Sequence, residues 1–185
     1  MMKLTVGEAV PAFAVAADDG ATVRESDLTG RRAVVYFYPK DNTPGCTVEA
    51  QDFTAAAARF AAAGVPVYGV SRDSVASHAK FRDKHKLAVR LLSDPDLAMQ
   101  KAFGVWGQKM MYGRAMEGTI RSTFLVGADG RVEAVWSPVK VAGHVDAVLA
   151  RITGAAGAAG EASEAGEAGA KKAAPKKSTA KKTAR

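Results

Sequence analysis

One thiol, Cys46, is all the cysteine in these 185 residues. No internal disulfide framework can form, and no Cys-x-x-Cys pair exists to reduce or shuffle disulfides. A lone free thiol fits a reducing cytosol. Histidine is almost as scarce: His78, His85 and His144 have no ligand-like spacing, and no second cysteine can join them, so neither a metal nor another cofactor is expected. His78 and His85, seven apart on one predicted helix, read as polar-face residues. No apolar run approaches the roughly 20 residues of a membrane span. The segment from Met1 to Pro11 lacks the sustained apolar stretch and small-residue cleavage site of a signal peptide. These absences predict a soluble, cytoplasmic protein with no membrane partner.

What is present divides at Thr153. Hydrophobic residues make up 48% of the sequence and charged residues 24%, enough for one domain with a real core. Residues 154–185 hold seven Lys/Arg, three Glu and no aromatic or large aliphatic residue, so they carry +4 of the net +7. Such a segment cannot bury enough area to offset chain entropy and is expected to be disordered. Its Ser178-x-x-Lys181 matches an acyl-transfer pattern by chance, because a disordered tail cannot hold a nucleophile in place. The predicted organisation is a domain over 1–153 followed by a basic Ala/Gly/Lys-rich tail over 154–185.

Within the domain, strands and helices alternate. Asp18-Asp19-Gly20 separates Ala12–Ala16 from Thr22–Arg24 as a hairpin turn, and Ala33–Tyr38 is an apolar β-type run. A helix is predicted from Thr43 to about Ala63, with Gly64 as its C-cap and Val48, Phe53, Ala56 and Phe60 on the buried face. Val65–Ser71 reads as a buried strand and Ser74–Lys86 as a helix with Val75, Ala79 and Phe81 inward. A strand-to-helix turn at Leu91–Pro95, a short helix Leu97–Phe103, a hairpin Ser122–Trp136 turning at Asp129-Gly130, and a last helix His144–Ile152 follow. The pattern implies an α/β domain with a mixed central sheet flanked by helices.

Cys46 occupies a telling place in this order. Thr43 suits an N-cap and Pro44 the first helical position, where its missing N–H would be unpaired anyway. The sulfur then lies in the first turn, among free backbone N–H groups and at the positive end of the helix dipole. A thiol there ionises more easily, and the thiolate is the reactive form. A lone cysteine is often only a small buried hydrophobe. A structural cysteine, however, has no need of Thr-Pro-Gly before it, and Gly45 removes a side chain that would crowd the sulfur.

Pro39-x-x-x-Thr43-x-x-Cys46 is the active-site pattern of the peroxiredoxins, and the chain resembles that family, closest to its peroxiredoxin Q or bacterioferritin comigratory protein subgroup. Supporting stretches are Thr43–Ala50, Gly69–Asp73, Ser77–Phe81, Leu91–Pro95, Phe103–Trp106 and Arg121–Leu125; the likeness runs from about residue 3 to 152. The resemblance implies a thioredoxin-like fold and a thiol-dependent peroxidase acting in antioxidant defence and cell redox homeostasis. Cys46 would attack the terminal oxygen of hydrogen peroxide or an organic hydroperoxide and become a sulfenic acid. An unperturbed cysteine with a pKa near 8.5 is only about 3% thiolate at pH 7, so ionisation needs help. The resemblance assigns that help to Arg121, reaching across from its strand. Thr43 would donate to the peroxide, Arg121 and the N–H groups of Gly45 and Cys46 would hold developing charge, Pro39 would shield the pocket from water, and Glu49 would hold the arginine.

The likeness breaks at one point. Many members of the subgroup carry a second, resolving cysteine, where this chain has Gln51 or, as nearly as can be aligned, Arg82. A one-cysteine variant must be resolved by an external thiol: thioredoxin, glutaredoxin, a small thiol, or Cys46 of a second subunit. A monomer or weak dimer is expected. The run Lys171–Arg185 resembles the tails of linker histones and supports an alternative, a nucleic-acid-associated protein making salt-sensitive, non-specific contact with phosphates. The same run also serves as a solubilising tail, leaving peroxidase chemistry to the domain.

Overall fold

The computed structural model describes residues 3–111 and 114–154, with only the backbone described at 109–111 and 114. The predicted tail therefore lies outside the described residues, apart from Gly154. Nine strands and five α-helices are formed there in the order β1 (Ala14–Ala17), β2 (Thr22–Arg24), β3 (Ala33–Phe37), α1 (Pro44–Ala55), α2 (Ala57–Ala62), β4 (Val67–Ser71), α3 (Val75–His85), β5 (Arg90–Ser93), α4 (Ala98–Ala102), β6 (Trp106–Met111), β7 (Arg114–Thr119), β8 (Ser122–Val126), β9 (Val132–Trp136) and α5 (His144–Thr153).

Seven strands form one sheet in the order β2-β1-β5-β4-β3-β8-β9. β3 pairs parallel with β4, and β4 with β5, while β8 runs antiparallel to β3. The sheet is mixed, as the alternating pattern requires. β3 is buried throughout because it is central and covered on both faces. Val34, Tyr36 and Tyr38 point into a core with Phe53, Phe60, Phe81 and Leu149, and Ala33, Val35 and Phe37 point into a second core with Phe103 and Phe124. Period-two alternation is thus preserved in a strand with no polar position to betray it. Tyr36 fills its place completely: a Cβ at Gly69 on the neighbouring strand would lie 2.5 Å from the tyrosine hydroxyl oxygen. Its ring stacks on Phe53 of α1, with centroids 4.6 Å apart.

The predicted single helix from Thr43 to Ala63 is two. α1 ends at Ala55 and α2 begins at Ala57, parted at Ala56 with φ −90° and ψ 1°. Thr54 explains the break. Its hydroxyl donates back to the Ala50 carbonyl at 2.8 Å and accepts from the Ala88 N–H at 3.1 Å. Back-bonding of this kind bends helices. Val48 is also misplaced by the sequence reading: it is 48% exposed, and the inward stripe of α1 is Cys46, Glu49, Ala50 and Phe53. That stripe has helical spacing but includes a carboxylate, which the search for apolar positions passed over.

β6 and β7, paired only with each other from Trp106↔Thr119 to Met111↔Arg114, were not anticipated. Their sequence has glycines at 107 and 118 and no regular alternation of apolar and polar residues. Among the described residues no helix is long and apolar enough to cross a membrane, and no cluster of three or more His, Cys, Asp or Glu could hold a metal ion.

Candidate active site

Thr43 has the extended backbone of an N-cap, φ −86° and ψ 148°, and its carbonyl accepts from Thr47 N–H at 2.9 Å. Its hydroxyl does not cap the helix: it donates to the Lys40 carbonyl at 3.0 Å. The hydroxyl oxygen is turned toward the loop, with its proton already engaged. Pro44 takes the first helical position as expected, and Cys46 follows in the first turn, 1% exposed.

Arg121, immediately before β8, brings its guanidinium to this turn. Nη2 donates to Cys46 Sγ at 3.1 Å, and Nη1 forms an ion pair with Glu49 Oε2. Cys46 and Glu49 are three apart on α1, so both face the same way, and one planar two-pronged group spans them. Gly45 lies alongside. A Cβ placed there would meet Arg121 Nη2 at 3.4 Å. The missing side chain therefore leaves room for the guanidinium beside the sulfur.

The electrostatics of this cluster are set by burial. Burial pushes the Glu49 carboxyl up to about 7, although Arg121 pulls the other way. Glu49 Oε1 and the Tyr36 hydroxyl have no hydrogen-bond partner among the described residues. Burial opposes the charge on Arg121, but Glu49 and the Cys46 sulfur outweigh it and hold the guanidinium above its ordinary value. On the other side, His144 at the start of α5 pairs through Nε2 with the Thr123 hydroxyl at 2.7 Å. Burial, aided by the charge of Arg121, lowers the His144 imidazole to about 4, so it is neutral at neutral pH. Pro39 is half-buried, and with Lys40 it borders a groove of about 510 Å³ whose far wall includes Trp106 and Met116.

The AhpC/TSA family model matches residues 6–135. The Peroxiredoxin Bcp of Xanthomonas campestris pv. campestris is 52% identical over 123 residues, 66% of this chain and 77% of that protein. This chain is a peroxiredoxin of the AhpC/TSA family. As such it is a thiol-based peroxidase, an oxidoreductase. The putative peroxiredoxin of Coxiella burnetii is 42% identical over 151 residues, 82% of this peroxiredoxin and 100% of that protein. A solved structure of Xanthomonas campestris peroxiredoxin Q superposes with a TM-score of 0.75 at 44% identity, covering 82% of this chain and 96% of that one. The predicted thioredoxin-like fold is the fold of this chain. Two further solved forms of that relative each carry serine in place of a different cysteine, so it has at least two, where this peroxiredoxin has Cys46 alone.

Two groups near the site escaped the sequence reading. His78, expected on a polar face, is fully buried and bonded to Asp41, itself buried between Pro39 and Thr43. Both lie in segments quoted for the family likeness, but nothing in their spacing links positions 37 apart.

Proposed function

We propose that this peroxiredoxin reduces hydrogen peroxide and organic hydroperoxides with Cys46 as the attacking sulfur. The observation that carries this reading is the Arg121 guanidinium held 3.1 Å from Cys46 Sγ at the start of α1. The guanidinium and the N–H groups of the first turn surround the sulfur with donors, and the thiolate is the form that attacks. The thiolate attacks the terminal peroxide oxygen, an S–O bond forms as the O–O bond breaks, and the departing oxygen leaves as hydroxide or alkoxide. A proton from solvent converts it to water or an alcohol, and Cys46 is left as a sulfenic acid.

Arg121 acts on both ends of this exchange. Its donors face the sulfur at the outset and the leaving oxygen's charge in the transition state. Thr43 has a different role from a simple donor: with its proton on the Lys40 carbonyl, its oxygen is free to accept the peroxide O–H and orient it. Pro39 shields the loop side from water, and Glu49 keeps the guanidinium in register. An external thiol, thioredoxin or another, then attacks the sulfenic sulfur; the S–O bond breaks, water leaves, and the mixed disulfide is resolved by a second thiol that frees Cys46 and forms a disulfide with the first. One organic substrate class is named for a relative: a structure of the Xanthomonas bacterioferritin comigratory protein concerns alkyl peroxide reduction. This supports organic hydroperoxides here.

We place this chemistry in the cytoplasm, on a monomer or weak dimer, because re-reduction needs a thiol pool. The basic tail is an appendage to it. Non-specific contact with nucleic acid through the tail remains the secondary reading, motivated by the seven Lys/Arg beyond Thr153.

The test is Cys46→Ser, assayed for peroxide consumption with dithiothreitol as reductant. Activity should vanish while the circular dichroism is unchanged, since serine is nearly isosteric. Native protein given one equivalent of peroxide should form a dimedone-reactive species, and excess peroxide should drive it to sulfinic acid. Substantial turnover by the serine variant would overturn the reading.

A further inference from the structure

Asp41 is the most heavily engaged side chain near the site, and the chemistry above makes no use of it. It is 5% exposed, on the loop joining β3 to α1, two residues after Pro39 and two before Thr43. Its Oδ1 accepts from the Tyr38 hydroxyl at 2.8 Å, and its Oδ2 from the Ser77 hydroxyl at 2.7 Å. His78 Nδ1 lies 3.1 Å and 3.0 Å from the two oxygens. The Asp41 backbone N–H donates to Asp73 Oδ2 at 2.9 Å. One short loop is thereby tied to the end of β3, the segment after β4, and α3.

The other ring nitrogen completes the arrangement. His78 Nε2 lies 3.2 Å from the Leu92 carbonyl on β5. A carbonyl can only accept, so Nε2 carries a hydrogen. Hydrogen bonds from His78, Ser77 and Tyr38 prevail over burial and hold the Asp41 carboxyl below its ordinary range, so it faces Nδ1 as a carboxylate. Nδ1 is the ring nitrogen that faces the carboxylate, so the imidazole spans Asp41 and the Leu92 carbonyl. Tyr38 is the third group on the ring, its hydroxyl 3.4 Å from Nδ1. A buried carboxylate with its hydrogen-bond partners is expensive to assemble and gives little net stability. Its value lies in geometry.

We propose that Asp41 and His78 are positioning residues for the peroxide reaction, holding the loop that carries Pro39 and Thr43 in register with the first turn of α1. The inference rests on the reading that Cys46 reduces peroxide. Small displacements of an orienting group are expensive: a misplacement of about 1 Å can lower a rate about 100-fold. Neither residue is assigned contact with the peroxide or the sulfur. Both act through Thr43.

Two substitutions separate positioning from packing. In His78→Asn the side-chain amide takes the place of Nδ1, keeping the donor to Asp41 and losing the Leu92 contact. In His78→Gln it takes the place of Nε2, keeping Leu92 and losing Asp41. The readouts are the second-order rate of Cys46 oxidation by hydrogen peroxide and the rate of its alkylation by iodoacetamide, which has no use for Thr43. Expected are a peroxide rate within about threefold of the native protein for Asn, a loss of about tenfold or more for Gln, and alkylation within about threefold in both. Equal losses, no loss in Gln, or alkylation falling in step with oxidation would each overturn the proposal. If either variant fails to fold, Ser77→Ala removes one of the bonds to Asp41 from a half-buried site; it should slow oxidation about two- to fivefold, and an unchanged rate would also overturn it. A native protein inert toward peroxide would instead defeat the underlying reading.

Discussion

Arg121 and Cys46, 75 residues apart in the chain, meet at 3.1 Å because antiparallel pairing of β8 with β3 sets the start of one beside the end of the other. Phe37↔Ser122 is the last pair in that register. Past it, the arginine leaves β8 just where the chain from β3 turns into α1. The sheet delivers the charge, and the helix delivers the sulfur.

Arg121→Ala should lower the second-order rate of peroxide reduction by about 10²–10³, the usual loss for one oxyanion donor. Arg121→Lys should recover only part of it, because an ammonium cannot serve Cys46 and Glu49 from fixed prongs. Stopped-flow oxidation of the single thiol measures both. A loss below about tenfold in the alanine variant would remove Arg121 from the role given to it.

Glu49 and His144 should pull stability in opposite directions with pH. Glu49 rises from its ordinary 4.5 to about 7, so its contribution is full below 4.5 and lost as pH climbs through 7. His144 falls from 6.5 to about 4, so its contribution is full above 6.5 and lost as pH drops through 4. Each span corresponds to about 3 kcal/mol, and the two offset each other across mildly acidic pH. Relative to the native protein, Glu49→Gln should therefore gain stability as pH rises from about 4.5 to 7, and His144→Gln as pH falls from about 6.5 to 4. Urea unfolding at four pH values reads the differences, and a flat difference would rule out that residue's assignment.

Gly69→Ala should destabilise the fold by about 1–3 kcal/mol through overpacking. The added carbon would fall 2.6 Å from Cζ of the Tyr36 ring and 3.0 Å from Leu91 Cδ2, both in the core. The ring cannot yield without disturbing Phe53, against which it stacks. Thermal unfolding is the check, and an unchanged midpoint would mean that Tyr36 has room to move.

Removal of residues 155–185 should leave peroxide kinetics unchanged, since none of the proposed site lies there. The Coxiella relative is matched over its whole length by 151 residues of this chain. A gel-shift assay on duplex DNA at low and moderate salt, with and without the segment, tests the secondary reading. Equal affinity in both forms would assign the lysines to solubility alone.

Much of the site was legible because it is local. Thr43, Pro44 and Cys46 announce a helix start by residue type alone, and Glu49 follows one turn later. Arg121 was legible only through likeness to a family, because no local pattern marks a strand-end arginine whose partner lies on a distant helix. The Asp41–His78 bridge was lost for the same reason, made worse by treating histidine on a helix as a surface residue. The split at Ala56 escaped because alanines on both sides favour helix, and the cause is a hydroxyl at Thr54 answering an amide at Ala88. Local propensity carries no record of such a distant partner. The β6–β7 ribbon pairs only with itself, so no burial pattern was imprinted on it.

The joint at Ala56 gives the two helical pieces separate mechanical lives. α2 is moored through Phe60 and α1 through Phe53, both in the core, and α1 carries Cys46 in its first turn. A rigid five-turn rod would have to seat both rings along one axis. Two short rods with a bend between them are each aligned by their own ring, so the tilt of α2 does not dictate where α1 sets Cys46.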